Sequence, residues 1–337
     1  MAAATTCSWT PHTQWSPVPL PPFPNNVPTH TLLVIDYDRI KAGNPEEIER
    51  LWTAATMLGV WYLKNHGIDE EAWGMFDMAA ETMDLPLDEK MKYEQGDEGL
   101  AFGYKAIGAY TVDTAGTKDP VQFINVAKDD ALLWPAQARC SYPSTMNATV
   151  IPFVEKSLWL PNGTLLKKHP QYEHSGGEAW CTFSPPHRFS QSLLNNHLSG
   201  LQVFLPGVET WQYVKPIPGH AICNLGDAMS ILSGGILRSN LHRVETKARS
   251  TASLSYFFAR PANSVVLCAL TEDSIQITEA VRRTSDPSLF DMGVTAIEWE
   301  MRHRKNQRMN NRKVMGPRPG FACRGTEHTD PVKIEAY

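Results

Sequence analysis

Pro218-Gly219-His220-Ala221-Ile222-Cys223-Asn224-Leu225-Gly226-Asp227 reads as a strand that leaves a prolyl turn and ends in a tight Gly-Asp turn. Two segments of similar character follow. In Arg238-Ser239-Asn240-Leu241-His242-Arg243-Val244, period-two alternation puts His242 and Val244 on one face. In Arg249-Ser250-Thr251 and Ser253, the guanidinium and two hydroxyls share a face if the strand runs straight. Around these lie further short apolar runs separated by Gly, Pro and Asn: Leu201 to Leu205, Trp211 to Val214, Met229 to Ser233, Leu254 to Phe258 and Val265 to Leu267. Short strands with regular turn signals predict an all-β sandwich or barrel, for which a jelly-roll is the natural packing.

Helices flank this β half. Toward the amino end, Leu32-Leu33-Val34-Ile35 reads as a buried strand. Asn44 then caps a helix with Pro45 in its first turn, Ile48, Leu51, Trp52 and Ala55 line one face, and Gly59 stops it. Val60 to Leu63 has the β-branched and aromatic content of a strand, and Asn65-His66-Gly67 is its turn. Asp69 caps a further helix, Pro86 to Tyr93 reads as a short one, and Gly99 to Gly108 reads as a loop. Beyond the β region, Thr271 to Arg283 and Thr295 to Arg308 read as helices. The second carries Arg302, Arg304, Lys305 and Arg308, expected as a solvated face.

Composition narrows the function. The chain has 337 residues with 42% hydrophobic and 20% charged, enough for a sizeable core. Its formal charge of -5 offers no basic field for nucleic acid or anionic lipid, so a small-molecule partner is expected. Six scattered cysteines without a C-x-x-C pair read as reduced core thiols. No run approaches the roughly 18 apolar residues of a membrane helix and no signal-peptide pattern opens the chain, so the expected address is cytoplasmic, without membrane or nucleic-acid partners.

A histidine on one inner strand and an arginine with hydroxyls on the next suit a barrel that binds divalent iron beside a dicarboxylate. Imidazole suits iron, and guanidinium grips a carboxylate bidentately. Several motifs, in order, resemble one family. Gly59-Val60-Trp61-Tyr62-Leu63-Lys64-Asn65-His66-Gly67-Ile68, Leu85-Pro86-Leu87-Asp88-Glu89-Lys90, Gly200-Leu201-Gln202-Val203, Asn224-Leu225-Gly226-Asp227 and Ser239-Asn240-Leu241-His242-Arg243-Val244 are similar to 2-oxoglutarate and Fe(II)-dependent oxygenases of the isopenicillin N synthase-like group. Val214-Lys215-Pro216 and Pro218-Gly219-His220-Ala221 are closest to its fungal members, many of which serve secondary-metabolite biosynthesis.

The resemblance implies a mainly β fold with flanking helices around a double-stranded β-helix, or jelly-roll, core. It implies Fe(II), 2-oxoglutarate and O2, with ascorbate as reductant, for the oxidation of a small molecule by hydroxylation, desaturation or ring formation. By motif position His242 is the distal iron ligand, and Arg249 with Thr251 or Ser253 holds 2-oxoglutarate. Phe102 and Tyr104, in a loop that approaches the pocket in this group, are candidate substrate contacts. The expected organisation is an arm over 1–31, a dioxygenase amino-terminal region over 32–130, a shortened connection over 131–179, the oxygenase core over 180–270 and carboxy-terminal helices with a tail over 271–337. A homodimer or a paralogue is the macromolecular partner considered.

One motif departs from the pattern. The His-x-Asp pair belongs between Ser184-Pro185-Pro186 and Gly200-Leu201-Gln202-Val203, and that stretch holds no carboxylate. His187 is the candidate for its histidine. Three readings stay open: an active oxygenase whose remaining ligand comes from elsewhere, such as Glu178, or whose given sequence lacks an exon-sized piece; a degenerate member that binds a small molecule or a paralogue; and a metal-free isomerase or cyclase using His242 and Arg249.

Overall fold

The computed structural model describes residues 23–69, 78, 82–100, 102–111, 116–119, 121–125, 191–195, 200–208, 210–244, 255–259, 264–272 and 274–311. Two sheets organise them. The larger contains β2 (Val34–Asp36), β3 (Val60–Lys64), β6 (Gln191–Asn195), β9 (His220–Leu225) and β11 (Ser255–Ala259), in the order β11-β6-β9-β3-β2. The smaller contains β1 (Thr29–His30), β7 (Leu201–Phe204), β8 (Gln212–Val214) and β10 (Leu241–Val244), in the order β1-β8-β7-β10. Two two-stranded sheets accompany them: β4 (Gly103–Lys105) with β5 (Phe123–Asn125), and β12 (Val266–Cys268) with β13 (Asp291–Thr295). No closed barrel is present among the described residues.

β3 shows why the sheets stack as they do. Val60, Trp61, Tyr62 and Leu63 are all buried, as a strand covered on both faces requires. Alternation sends Val60 and Tyr62 to one side, where they pack with Ile222 of β9 and with Leu201, Val203 and Val214 of the smaller sheet. Trp61 and Leu63 join a second cluster with Ile35, Leu51 and Cys223. The Tyr62 hydroxyl donates to the Lys215 carbonyl at 2.5 Å and so ties the larger sheet to the segment leaving β8.

Helix boundaries follow local chemistry. α1 (Tyr37–Lys41) is capped by the Asp36 carboxylate. α2 (Pro45–Thr53) starts where expected: the Asn44 side chain accepts from Glu47 N at 3.0 Å, and Pro45 supplies a position that needs no N–H. Asn44→Ala should lower stability by about 1 kcal/mol, measured by urea denaturation. A π-helical turn, Ala54–Leu58, follows, and Gly59 stops it in the left-handed region at φ 70°. α3 (Leu87–Met91) is the short helix expected in that region.

Two expectations are corrected. Met229 to Ser233, expected as a strand, is helical: α4 (Asp227–Leu232) runs from Gly226 straight out of β9. Ala228 and Ile231 pack against Leu267 and Ala296, whereas Met229 and Leu232 join the cluster beneath β3 and β9. Both faces are buried at i, i+3 spacing, so the apolar run shows no polar face from which to read its period. Gly99 to Gly108, expected as a loop, contains β4. Its pairing partner β5 lies about twenty residues downstream, beyond the reach of local signals.

α5 (Ile275–Arg283), capped by Ser274, and α6 (Ala296–Gln307), opened by a Thr295–Glu298 capping box, confirm the carboxy-terminal helices. Cys223 is buried and Cys268 half-buried. No helix among the described residues is long and apolar enough to cross a membrane.

Candidate functional site

β10 places the candidate ligand. It pairs antiparallel with β7, with His242 opposite Val203 and Val244 opposite Leu201. Val203 and Leu201 belong to the cluster between the sheets, so His242 lies on the inter-sheet face of β10. Arg243 takes the opposite face, where its Nε donates to Gln202 Oε1 at 2.6 Å and its guanidinium stacks 4.3 Å from the Trp211 ring centre.

The imidazole has a defined tautomer. His242 Nδ1 lies 3.1 Å from the Asn240 carbonyl oxygen. A carbonyl only accepts, so Nδ1 carries the proton and Nε2 keeps its lone pair. Burial pushes the His242 pKa down, against the opposing pull of the Asn240 carbonyl and the Asp227 carboxylate. Yet the residue is exposed to solvent. The ring is thus crowded by protein atoms while part of the residue meets solvent. A neutral imidazole with a free Nε2 is the form that ligates a metal.

The approach to β10 is held from several sides. Asn240 N donates to the Leu225 carbonyl at 3.3 Å, and Asn240 Nδ2 donates to the Leu58 carbonyl at 3.1 Å. Arg238 N donates to the Ala55 carbonyl at 2.9 Å. Asp227, expected to close a local turn, instead accepts from Ser239 Oγ at 2.5 Å, twelve residues along the chain. The carboxylate at the head of α4 thereby fastens the segment that delivers His242.

Among the described residues no group of three His, Cys, Asp or Glu side chains is placed to hold a metal ion. His242 fits iron as one ligand by its tautomer and its inter-sheet position. His187, Arg249, Thr251, Ser253 and Glu178 lie outside the described residues.

Phe102 and Tyr104 lie on the β4 side of the molecule. Phe102 is half-buried. Tyr104 is 1% exposed and its hydroxyl donates to Gln122 Oε1 at 2.7 Å, so it presents no open surface. His66 has a buried side chain with its pKa lowered by burial, and its Nδ1 accepts from Ile68 N at 3.3 Å, in keeping with a structural turn.

A polar cluster beside β4 escaped the sequence reading. Lys105 is fully buried, paired with Asp119 and bonded to the Val121 carbonyl. Burial lowers its pKa, Asp119 opposes that, and nearby Arg308 adds to it. The Arg308 guanidinium meets Glu94 at 2.6 Å and Gln95 Oε1 at 3.2 Å, and Gln95 Oε1 also accepts from the Tyr110 hydroxyl at 2.9 Å. Arg308 is thus buried, not part of a solvated face, because α6 delivers it to carboxylate and amide partners more than 200 residues away. Only the unusual basic density at the end of α6 hinted at this in the sequence.

Known proteins resemble this chain in sequence and in fold. A family model for the non-haem dioxygenase amino-terminal region, described from morphine synthesis, matches residues 32–147, and a model of the 2OG-Fe(II) oxygenase superfamily matches residues 166–260. The 2-oxoglutarate-dependent dioxygenase frbH of Dothideomycetidae sp. (strain 11243) is 24% identical over 275 residues, covering 71% of this chain and 84% of that protein. Leucoanthocyanidin dioxygenase of Petunia hybrida is 29% identical over 300 residues, covering 78% of this chain and 67% of that one. A full-length Neurospora crassa protein, crystallised in complex with alpha-KG, superposes with a TM-score of 0.58 at 16% identity, covering 80% of this chain and 95% of that one, a likeness of fold. Two matched family models, which together span over half of the sequence, and the similarity to 2-oxoglutarate-dependent dioxygenases place the chain in the 2-oxoglutarate and Fe(II)-dependent oxygenase superfamily.

Proposed function

We propose that this protein is an oxygenase that couples decarboxylation of 2-oxoglutarate to oxidation of a small molecule, within a double-stranded β-helix core. The superfamily is one of oxidoreductases that use Fe(II) and 2-oxoglutarate. The observation that carries the reading is the His242 imidazole on the inter-sheet face, with Nδ1–H tied to Asn240 and Nε2 left to ligate. His187 is the proposed second ligand, and Arg249 with Thr251 or Ser253 the proposed anchor for the distal carboxylate of 2-oxoglutarate. When bound, the iron supplies the open coordination positions at which 2-oxoglutarate and O2 react.

The chain's own groups have separate tasks. Burial favours the neutral form of His242, the form that ligates without first losing a proton. Val203, directly opposite on β7, and Leu201 beside it set apolar side chains on the same face. Phe102 is proposed to contact the substrate, whereas Tyr104 would have to turn away from Gln122 to do so. The fungal relative frbH supports a place in secondary-metabolite biosynthesis.

The test is succinate formation from 2-oxoglutarate with Fe(II), O2 and ascorbate. Succinate above a metal-free control is the expected result, and its absence overturns the reading. The missing carboxylate between Ser184 and Gly200 favours one alternative, a degenerate member that binds ligand without turnover. That alternative predicts 2-oxoglutarate or metal binding by calorimetry together with no succinate.

A further inference from the structure

Asn240 makes more contacts than a strand entry requires. It is 5% exposed, its N–H bonds to the end of β9, and its side-chain amide bonds to the last carbonyl of the π-helical turn. Its carbonyl oxygen accepts from His242 Nδ1. Its side-chain oxygen Oδ1 is buried with no hydrogen-bond partner among the described residues. Leaving such an oxygen unpaired costs about 1–3 kcal/mol, which an alanine or leucine here would avoid. The amide therefore has to be accounted for by its donor end, at Leu58.

The neighbouring contacts act in the same direction. Arg238 is bonded to Ala55 of the same π-helical turn, and the Gly59 Cα presses so closely on the Arg238 carbonyl that a Cβ would stand 2.2 Å from its oxygen. Residues 238–240 are thus fixed to the amino-terminal half by three independent contacts. A carbonyl held this way presents a fixed acceptor to an imidazole two residues on.

We infer that Asn240 is the positioning residue for His242: its side chain, anchored on Leu58, holds its own carbonyl where it selects the Nδ1–H tautomer and aims Nε2 between the sheets. This rests on the proposed role of His242 as a ligand but adds a coupling to the amino-terminal π-helical turn. Partners of this kind, one bond behind a metal-bound histidine, orient the ring, and their loss weakens metal affinity about tenfold or more.

The full-length protein labelled with 15N-histidine gives the test, by long-range 1H–15N correlation at pH 8, with His242 signals identified by their loss in His242→Asn. The wild type is expected to show a protonated Nδ1 and an unprotonated Nε2. Asn240→Ala should mix the two tautomers, so that the two nitrogen shifts move toward each other, and should weaken Co(II) binding about tenfold. Asn240→Asp, which sets an oxygen against the Leu58 carbonyl, should do the same and serves if the alanine variant does not fold.

A wild-type Nε2–H tautomer, or unchanged His242 shifts in both variants, overturns the inference. A purely structural Asn240 would lower the melting temperature and leave the tautomer as it was, which also overturns it. If wild type shows the Nδ1–H tautomer and Asn240→Ala disturbs it, while Co(II) alone leaves the His242 signals unbroadened, the positioning stands and the iron-binding reading falls.

Discussion

His242→Ala should reduce succinate formation to the level of the metal-free control and abolish Co(II) binding in the micromolar range. The described residues offer no cluster of three ligating side chains to take over. The sequence holds no carboxylate between Ser184 and Gly200, so the site has no surplus ligand there to absorb the loss. The fold should tolerate the change, because among the described residues the ring bonds to a backbone carbonyl two positions before it and to no distant element. Unaltered circular dichroism with lost metal binding is the pattern expected. Retained metal affinity would move the site away from β10 altogether.

Gly59→Ala should lower stability by about 2–5 kcal/mol, combining left-handed backbone strain with overpacking. Gly59 has φ +70°, and a Cβ there would sit 2.2 Å from the Arg238 carbonyl oxygen, a backbone atom that cannot swing aside. Gly43 supplies the comparison: it has the same φ of +70° with nothing within 4 Å of its Cβ position. Gly43→Ala should therefore cost only the backbone part, about 1–2 kcal/mol. Urea denaturation of the two variants separates strain from collision, and equal losses would show that the Arg238 segment yields. Because that segment leads to Asn240 and His242, Gly59→Ala should also weaken Co(II) binding in whatever fraction folds.

Much of the fold could be read without coordinates where the signal was local. The Asn44 cap, Pro45 at the helix start and the Gly59 stop each act within about four residues, and all three are present as read. β3, β7, β8, β9 and β10 fall within a residue or two of the apolar runs that announced them. Met229 to Ser233 misled because burial on all sides removes the polar face that distinguishes helix from strand. β4 went unread because its partner strand, not its own residues, makes it a strand.

For the site, the residue types along the chain pointed to His242 as a ligand and to a family around it, since motif order survives in one dimension. Its tautomer, the Leu58 anchor of Asn240, the Asp227–Ser239 bond and the burial of Lys105 and Arg308 came only from the folded molecule. The physical reason is range. Capping, turn formation and periodicity are settled between residues a few positions apart, whereas the hydrogen bond between Asn240 and Leu58 joins residues 182 positions apart and exists only once two sheets and a π-helical turn have packed together.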